Sequence, residues 1–240
     1  MVSVKNMPSS NKEARSAATK PTKMPKIVAF ANQKGGAGKS TGAVHAADWL
    51  ASLGYKTAFV DADGQESSHK WVEELGIPRF VIKDPDELFE ELPTLTQSHD
   101  VVIVDGPGNA SETTKAVLHR AELVLIPCRD SVIDVKSTKK IVQFVMQAVE
   151  VRRGMPIAAL YLSAVKERTI LLQEAKEGLK KGILPLLETA IPDRQCVKDT
   201  AGQGSTVFRM KGKAAISAAQ SYQQLFQEAL SLFEQKMLSQ

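Results

Sequence analysis

Residues 33–41 read QKGGAGKST, with an apolar run directly before them and an alanine-rich helical pattern directly after them. Glycines let a turn present its backbone N–H groups to phosphate oxygens, and the N-terminus of the following helix adds the positive end of a dipole. A lysine and a hydroxyl residue at the end of such a turn reach the terminal phosphates and a magnesium ion. The stretch therefore predicts a nucleotide phosphate site in which Lys39 contacts the phosphates and Ser40 holds Mg²⁺. The other phosphate-binding residues predicted in this turn are Gly35, Gly36, Ala37, Gly38 and Thr41.

Short β-branched runs alternate with longer stretches of helical period from Lys26 onward. The candidate strands are Ile27–Asn32, Thr57–Asp61, Phe80–Ile82, Val101–Asp105, Leu123–Pro127, Ile157–Leu162 and a weaker one at Leu186–Ala190. The candidate helices are Lys39–Leu53, Glu66–Leu75, Pro85–Leu92, Glu112–Leu118, Val135–Arg153, Ile170–Lys181, Arg194–Gly202 and Ala214–Leu238. This alternation predicts an α/β fold with a doubly wound, mostly parallel sheet and helices on both faces. In such folds ligands bind beyond the carboxyl ends of the strands.

The first 25 residues differ in composition from the rest of the chain. They are rich in serine, lysine and proline and hold five basic residues against one acidic residue, so the whole net charge of +4 lies there and residues 26–240 are neutral. A segment with so few large apolar residues cannot bury enough surface to offset its ordering entropy. We therefore expect a flexible basic arm at residues 1–25 and a single domain at residues 26–240.

Composition also excludes several classes of protein. The two cysteines, Cys128 and Cys196, are too few and too far apart for a disulfide framework, a zinc knuckle or a CxxC redox pair. No apolar run approaches the ~18 residues of a spanning helix, and the N-terminus has no apolar signal stretch. We expect a cytoplasmic protein. We also expect the apolar stripe of the closing helix, over residues 216–237, to pack against the sheet rather than on a lipid surface.

The phosphate turn departs in one respect from the usual pattern GxxxxGK[ST]. Gln33 stands where the first glycine is expected, and a second lysine, Lys34, follows it. Together with Asp61-Ala62-Asp63 after the second strand and the run Val101–Asp105, this turn resembles the deviant Walker-A P-loop ATPases of the ParA/MinD group. Within that group, the turn and the segment 59–71 are most similar to ParA-type partition ATPases. The resemblance extends to about residue 235.

The resemblance implies roles for individual residues. Lys34 matches the signature lysine of the family, which reaches across a nucleotide-sandwich dimer to the phosphates of the other subunit. Asp105 matches the Walker-B carboxylate, which supports Mg²⁺ through water, and Asp61 matches the first switch-I carboxylate, near the metal. Asp63 matches the second switch-I carboxylate, which positions the attacking water. Phosphoryl transfer needs charge neutralisation and an oriented water, so Lys34, Lys39 and Asp63 are the predicted catalytic residues.

Two glycines stand where ParA relatives usually carry proline. The chain has Gly64 in its version of the DxDPQ motif, and Gly108 in its version of the DxPP motif after the fourth strand. Glycine in place of proline gives the chain more conformational freedom, so switch I is expected to be looser than in those relatives. No phosphate or metal ligand is lost by either replacement.

The resemblance also implies a function. ATP closes a homodimer, the dimer binds DNA without sequence preference at the nucleoid, and a ParB-like or ribbon-helix-helix centromere-binding partner stimulates hydrolysis and release. The chain lacks the Asn-Lys-x-Asp with which GTPases read guanine, which favours ATP. Three alternatives stay open. They are an ATPase that positions a carboxysome or a chemoreceptor cluster, a MinD-like membrane-cycling ATPase, and a binding protein whose nucleotide only locks a scaffold.

The same resemblance places DNA contacts in the C-terminal half of the chain. The candidate basic residues there are Lys166, Arg168, Arg194, Lys198, Arg209, Lys211 and Lys213. The alternative for each of them is an ordinary solvated surface cation.

Overall fold

The computed structural model describes residues 23–63, 67–108, 111–130 and 132–239. The strands in this part of the chain are β1 (Ile27–Phe30), β2 (Thr57–Asp61), β3 (Arg79–Val81), β4 (Val101–Asp105), β5 (Leu123–Cys128), β6 (Ile157–Val165) and β7 (Ile191–Pro192). The helices are α1 (Lys39–Ser52), α2 (Ser67–Leu75), α3 (Pro85–Ser98), α4 (Glu112–Arg120), α5 (Val132–Val151), α6 (Ile170–Lys180), α7 (Gln195–Gly202) and α8 (Lys213–Leu238). The strands form one sheet in the order β3-β2-β4-β1-β5-β6-β7, and every pair is parallel.

Successive residues of each strand point to opposite faces of the sheet, and helices cover both faces. Val28 and Phe30 of β1 belong to an apolar cluster with α1, α2 and α8. Ile27 and Ala29 belong to a second cluster with α3, α4 and α5. All five residues of β4 are buried, as expected for a strand covered on both sides. The predicted doubly wound α/β fold is therefore confirmed.

The carboxyl ends of three strands meet at one place on the sheet edge. β1 lies between β4 and β5, and its last residue, Phe30, is in register with Asp105 of β4. Asp61, the last residue of β2, is in register with the same Asp105 from the other side. The loop that follows β1 and the two carboxylates are thus neighbours, although they are far apart in sequence.

The closing helix α8 packs its apolar stripe into the core, as the sequence predicts. Tyr222, Leu225, Phe226 and Phe233 are all buried in the cluster that includes β1 and α1. Within the described ranges there is no helix that combines the length and the apolar character needed to cross a membrane.

The predicted strand at Leu186–Ala190 is wrong. The last strand of the sheet is the two-residue β7, and Leu186 forms only an isolated bridge to Leu160. The reason is an irregularity in β6, where the pairing register shifts between Ser163 and Val165 and Ala164 has a φ of 51°. Beyond this point β6 pairs with Ile191 and Pro192, across the register shift and just past the predicted segment.

Helix α3 continues six residues past its predicted end at Leu92. Pro93 cannot donate the hydrogen bond that the carbonyl of Phe89 would otherwise accept. The Nε atom of Arg120 donates to that carbonyl at 2.6 Å instead, and the Arg120 guanidinium lies 3.5 Å from the centre of the Phe89 ring. Because another helix satisfies the freed carbonyl, the proline does not end α3.

Most of the predicted N-terminal arm lies outside the described residues, and so do Gly64 and Gln65 of the switch-I motif. Of residues 1–25, the structure describes the last three, and the Lys23 ammonium donates to the backbone carbonyl of Met237 at 3.3 Å. The predicted flexibility of the arm and the predicted looseness of switch I therefore stay predictions.

Candidate nucleotide-binding site

The phosphate loop, residues 31–38, joins β1 to α1 and turns at two glycines. Gly36 has a φ of 73° and Gly38 a φ of 103°, values that side chains disfavour. At Gly38 an ideal Cβ would also lie 2.5 Å from the Ser163 Oγ on β6, so a side chain there would force the serine hydroxyl to move. The sequence pattern of the loop thus matches the backbone that the fold requires.

The side chain of Asn32 holds the start of this loop in place through two hydrogen bonds. Its side-chain Nδ2 donates to the carbonyl of Pro127 at 2.6 Å, and its Oδ1 accepts from the backbone N–H of Lys34 at 3.3 Å. The side chain of Lys34 is partly exposed and the two glycines after it are exposed, whereas Asn32 is buried. The signature lysine therefore lies at the outer edge of the loop, accessible from outside the protomer.

The charged ends of Lys39 and Asp63 both lie close to Gly108. An ideal Cβ on Gly108 would lie 3.6 Å from the Lys39 Nζ and 3.8 Å from the Asp63 Oδ2. Lys39 is only 6% exposed, although it carries a charged ammonium. A buried ammonium is costly unless anions surround it. Gly108 thus stands next to both a buried cation and a carboxylate.

Asp105 is a fully buried carboxylate at the end of β4. Neither of its oxygens makes a hydrogen bond of normal geometry to the residues that the structure describes, although the Ser40 and Ser68 hydroxyls lie near them. Burial raises the pKa of Asp105 to about 7, although the Ser40 and Ser68 hydroxyls oppose the rise. A hydrated divalent cation beside Ser40 would supply the positive charge and the water donors that these oxygens lack. The donor set therefore fits Mg²⁺.

Asp61 differs from Asp105 because both of its oxygens are already occupied. Its Oδ1 accepts from the backbone N–H of Asp63 at 3.0 Å, and its Oδ2 accepts from the Ser68 hydroxyl at 2.7 Å and the backbone N–H of His69 at 2.9 Å. These bonds tie the end of β2 to the first turn of α2. Asp61 consequently orders the segment that carries Asp63. Its predicted place beside the metal stays a prediction.

A cavity of about 300 Å³ adjoins the phosphate loop. Its walls are the first residues of α1, the end of β6, Ile191–Arg194 and one side of α7, with Trp71 and Tyr222 also lining it. The cavity is continuous with the surfaces of Lys39 and Ser40, where phosphates are predicted to bind. A ligand with phosphates at one end and a planar group at the other fits such a pocket.

Residues 28–207 match the family described as the CobQ/CobB/MinD/ParA nucleotide binding domain. The matched segment contains the phosphate loop, Asp61, Asp63, Asp105 and the cavity-lining residues other than Tyr222. The chain belongs to this family.

Several proteins of known name are similar to this family member. Protein ParA of Rhizobium radiobacter is 27% identical over 199 residues, which are 80% of this chain and 90% of that protein. The maintenance of carboxysome distribution protein A of Gloeobacter kilaueensis is 29% identical over 209 residues, 85% of this chain and 94% of the relative. Among solved structures, an ATP complex of a McdA variant from Cyanothece superposes with a TM-score of 0.66 at 18% identity, covering 82% and 94% of the two chains.

The candidate DNA-contacting residues of this family member fall into three environments. Arg168, Lys211 and Lys213 are exposed, as a DNA-binding surface requires, and so is Lys166. Arg194 and Lys198, by contrast, line the cavity beside the phosphate loop. Lys198 pairs with Asp193 at 2.7 Å, and Arg194 has a buried Nε without a partner in the described part of the chain. Both cations line the nucleotide cavity, but Lys198 is also exposed, and the predicted contact of the two residues with DNA stays a prediction.

Arg209, the last of the candidate DNA-contacting residues, is also tied to the interior of the protein. Its guanidinium forms two hydrogen bonds to the buried carboxylate of Asp48, at 2.9 and 2.7 Å, and a third to the carbonyl of Leu75 at 2.9 Å. The guanidinium is held by these internal contacts, although Arg209 itself remains exposed at the surface, so its predicted contact with DNA stays a prediction. The sequence gives no sign of this pairing, because the two partners are 161 residues apart.

Two further residues of the site were not predicted. Ser68 donates to Asp61 and lies beside Asp105, which places its hydroxyl between the two carboxylates. Arg129, the first residue after β5, is exposed and lines the cavity together with Gly36. A serine seven positions after an aspartate and an arginine at a strand end have no distinctive spacing, so only the fold reveals them.

Proposed function

We propose that the protein is a Mg²⁺-dependent ATPase that acts as a dimerising switch in DNA partition. The observation that carries the proposal is the meeting of Lys39 and Asp63 at Gly108, beside the unpartnered carboxylate of Asp105. A cation for the phosphates and a carboxylate that can orient water are the parts that phosphoryl transfer requires. The family match, the ATP-bound relative and the lack of a guanine-reading Asn-Lys-x-Asp support ATP as the nucleotide.

Each residue of the site has a different role in the proposed hydrolysis of ATP. Lys39 and the N–H groups of the phosphate loop neutralise the triphosphate, and a Mg²⁺ ion held by Ser40, with Asp105 accepting from its water ligands, withdraws charge from the terminal phosphates when bound. Asp63 accepts a hydrogen bond from the attacking water and directs it at the terminal phosphorus. Asp61 holds the segment of Asp63 in place through α2.

Lys34 supports the proposal of an ATP-bound homodimer. It lies at the outer edge of the phosphate loop, where a second protomer can approach, and the loop already contains Lys39 for contacts within the protomer. A triphosphate enclosed between two protomers is neutralised best by cations from both sides. We therefore assign the cross-subunit contact to Lys34.

ATP with Mg²⁺ is expected to convert monomer to dimer, and Lys34→Ala is expected to prevent this while ATP still binds. The reason is that the cross-subunit contact is lost while the contacts of Lys39 remain. Light scattering with a slowly hydrolysed ATP analogue measures the mass. The matched control is Lys140→Ala, which removes an exposed lysine from α5 and so changes the net charge equally. An unchanged monomer mass for the parent protein would contradict the sandwich dimer.

The proposed cycle uses DNA as the surface from which hydrolysis releases the dimer. Residues 26–240 are neutral overall, so one protomer is expected to hold DNA weakly. Dimerisation doubles any basic patch, and the exposed residues Arg168, Lys211 and Lys213 are the candidates for it. A ParB-like or ribbon-helix-helix protein bound at a centromere would then stimulate hydrolysis, and plasmid or chromosome DNA would be moved along the nucleoid.

Deletion of residues 1–23 is expected to lower DNA affinity in both nucleotide states but to preserve the increment that ATP produces. The deleted segment carries five basic residues against one acidic residue, and each neutralised phosphate contributes roughly −0.9 to the slope of log affinity against log salt. Binding of the full and shortened proteins to duplex DNA, measured against salt with and without ATP, tests this. If the deletion abolished the increase in DNA affinity that ATP produces, the ATP-dependent contacts with DNA would lie in the arm.

A protein assembly is the second candidate cargo. One relative, 29% identical, is named for the maintenance of carboxysome distribution, and its match covers 85% of this chain. The ATPase cycle would be the same, and only the partner protein would differ. The neighbouring reading frame separates the two candidates, because a centromere-binding protein there supports partition and a carboxysome protein supports positioning.

A further inference from the structure

Residues 205–209 connect the two helices that carry the nucleotide site. Helix α1 begins at Lys39, and helix α2 begins just after the loop of Asp61 and Asp63. We call residues 205–209 the strap, because they form hydrogen bonds to both helices. The strap follows α7, which lines the cavity beside the phosphate loop.

His45 joins the strap to the first turn of α1. Its Nδ1 lies 2.7 Å from the carbonyl of Thr41, and its Nε2 accepts from the backbone N–H of Val207 at 3.3 Å. A ring that accepts at Nε2 and faces a carbonyl at Nδ1 is neutral, with its proton on Nδ1. Burial lowers the pKa of His45 to about 4, and the ring stacks on Tyr222 with centroids 4.4 Å apart. His45 is therefore a fixed, uncharged link.

Asp48 and Arg209 join all three elements at one point. Asp48 on α1 is almost fully buried, and its carboxylate accepts from the Thr206 hydroxyl and from both Nε and Nη2 of Arg209. The same Nη2 atom donates to the carbonyl of Leu75, the last residue of α2, at 2.9 Å. One guanidinium thus holds the end of α2 against the middle of α1.

Trp71 provides a second attachment between the strap and α2. Its indole N–H donates to the carbonyl of Ser205 at 2.7 Å, and its ring meets that of His45 edge-on at 5.8 Å. The opposite end of α2 holds Asp61 through Ser68 and His69. Helix α2 is therefore fixed to the strap at its middle and its end, and to the switch-I segment at its beginning.

We propose that the strap sets the position of α2 against α1 and so the position of Asp63 relative to the phosphates that Lys39 binds. Arg209 and Asp48 are then positioning residues for hydrolysis, although neither lines the nucleotide cavity. This inference rests on the proposed ATPase function. Small displacements of a reacting group lower a rate strongly. Loosening the strap therefore lowers kcat, whereas ATP binding, which depends on the phosphate loop, is retained.

Arg209→Met tests the proposal, with Arg79→Met as the matched control. Arg79 also pairs with a residue of α2, Glu73, but within the described part of the chain it makes no hydrogen bond or ion pair to α1. At saturating ATP we expect Arg209→Met to lower kcat about tenfold or more, with the Kd for ATP changed less than about threefold. Arg79→Met should change neither value. Phosphate release, nucleotide titration and the unfolding midpoint are measured for each variant, with rates taken well below that midpoint.

A purely structural role for the strap would give a different result. Arg209→Met would then lower the unfolding midpoint but leave kcat unchanged, and that outcome overturns the proposal. Arg209→Lys, which keeps a charge beside Asp48, should recover part of kcat. If Arg209→Met does not fold, Thr206→Val removes a single hydrogen bond to the same carboxylate and should still lower kcat without weakening ATP binding.

The outcomes also separate this inference from the proposed function. A parent protein that hydrolyses no ATP contradicts the ATPase proposal itself, and the strap proposal with it. A parent that hydrolyses ATP while Arg209→Met and Thr206→Val hydrolyse it equally fast contradicts the strap alone. An equal loss of kcat and ATP affinity in both variants overturns the strap as well, because it would indicate a general collapse of the site.

Discussion

Replacing Lys39 with alanine is expected to raise the Kd for ATP by about 30-fold or more, because truncating one partner of a buried charge pair costs about 2–5 kcal/mol. The Lys39 side chain is almost fully buried at the start of α1, so water cannot replace its ammonium against the triphosphate. The N–H groups of the loop remain, but they do not balance the charge of the phosphates. Isothermal titration of the variant with ATP and Mg²⁺ measures the loss.

The matched control for this experiment is Lys56→Ala. Lys56 is exposed and lies just before β2, at the amino end of the sheet, so its removal changes the net charge equally without touching the site. Circular dichroism checks that both variants are folded. ATP binding by Lys39→Ala with the affinity of the parent would contradict the assignment of the phosphate loop.

Replacing Asp63 with alanine is expected to lower kcat by about 100-fold while ATP still binds, since a positioned proton acceptor contributes about 10²–10⁴-fold. The Asp63 carboxylate lies close to the Lys39 ammonium but is not needed to neutralise the phosphates. Its removal takes away a negative charge beside the triphosphate, so ATP affinity should be equal or higher. Phosphate release at saturating ATP, together with an ATP titration, measures both effects.

Asp86→Ala is the control for the loss of an acidic residue. Asp86 is exposed in the first turn of α3 and is remote in sequence from the phosphate loop. The defects of Lys39→Ala and Asp63→Ala must differ, because one concerns binding and the other turnover. Hydrolysis by Asp63→Ala at the parent rate, with a stimulating partner present, would show that another group positions the water.

Local signals explain which parts of the fold were predictable. The phosphate loop carries its own signature, because the glycines, the lysine and the hydroxyl residues must be contiguous. The strand Val101–Asp105 is buried on both faces, and its apolar run marks both ends correctly. The seventh strand was misplaced because an irregularity in another strand, near Ala164, determines where pairing occurs. The residues of the seventh strand themselves contain no sign of this irregularity.

Long-range contacts explain which parts of the site were not predictable. Arg209 was grouped with the surface cations, since nothing near it in sequence reveals the buried Asp48. Arg194 and Lys198 were grouped with them as well, and only the fold shows that α7 turns toward the nucleotide cavity. The sign of a charge can be seen in a sequence, whereas the surface on which it lies depends on tertiary packing.

The unequal surroundings of Asp61 and Asp105 have a consequence for the history of such proteins. Asp61 is fully hydrogen-bonded within the chain, so its loss would damage the fold whether or not nucleotide is used. Asp105 is buried with unsatisfied oxygens, a feature that costs stability and is useful only with a bound cation. In a descendant that had abandoned nucleotide hydrolysis, selection would therefore retain Asp61 and let Asp105 drift to an apolar residue. The residues at positions 61 and 105 would then distinguish descendants that have lost nucleotide hydrolysis from those that retain it.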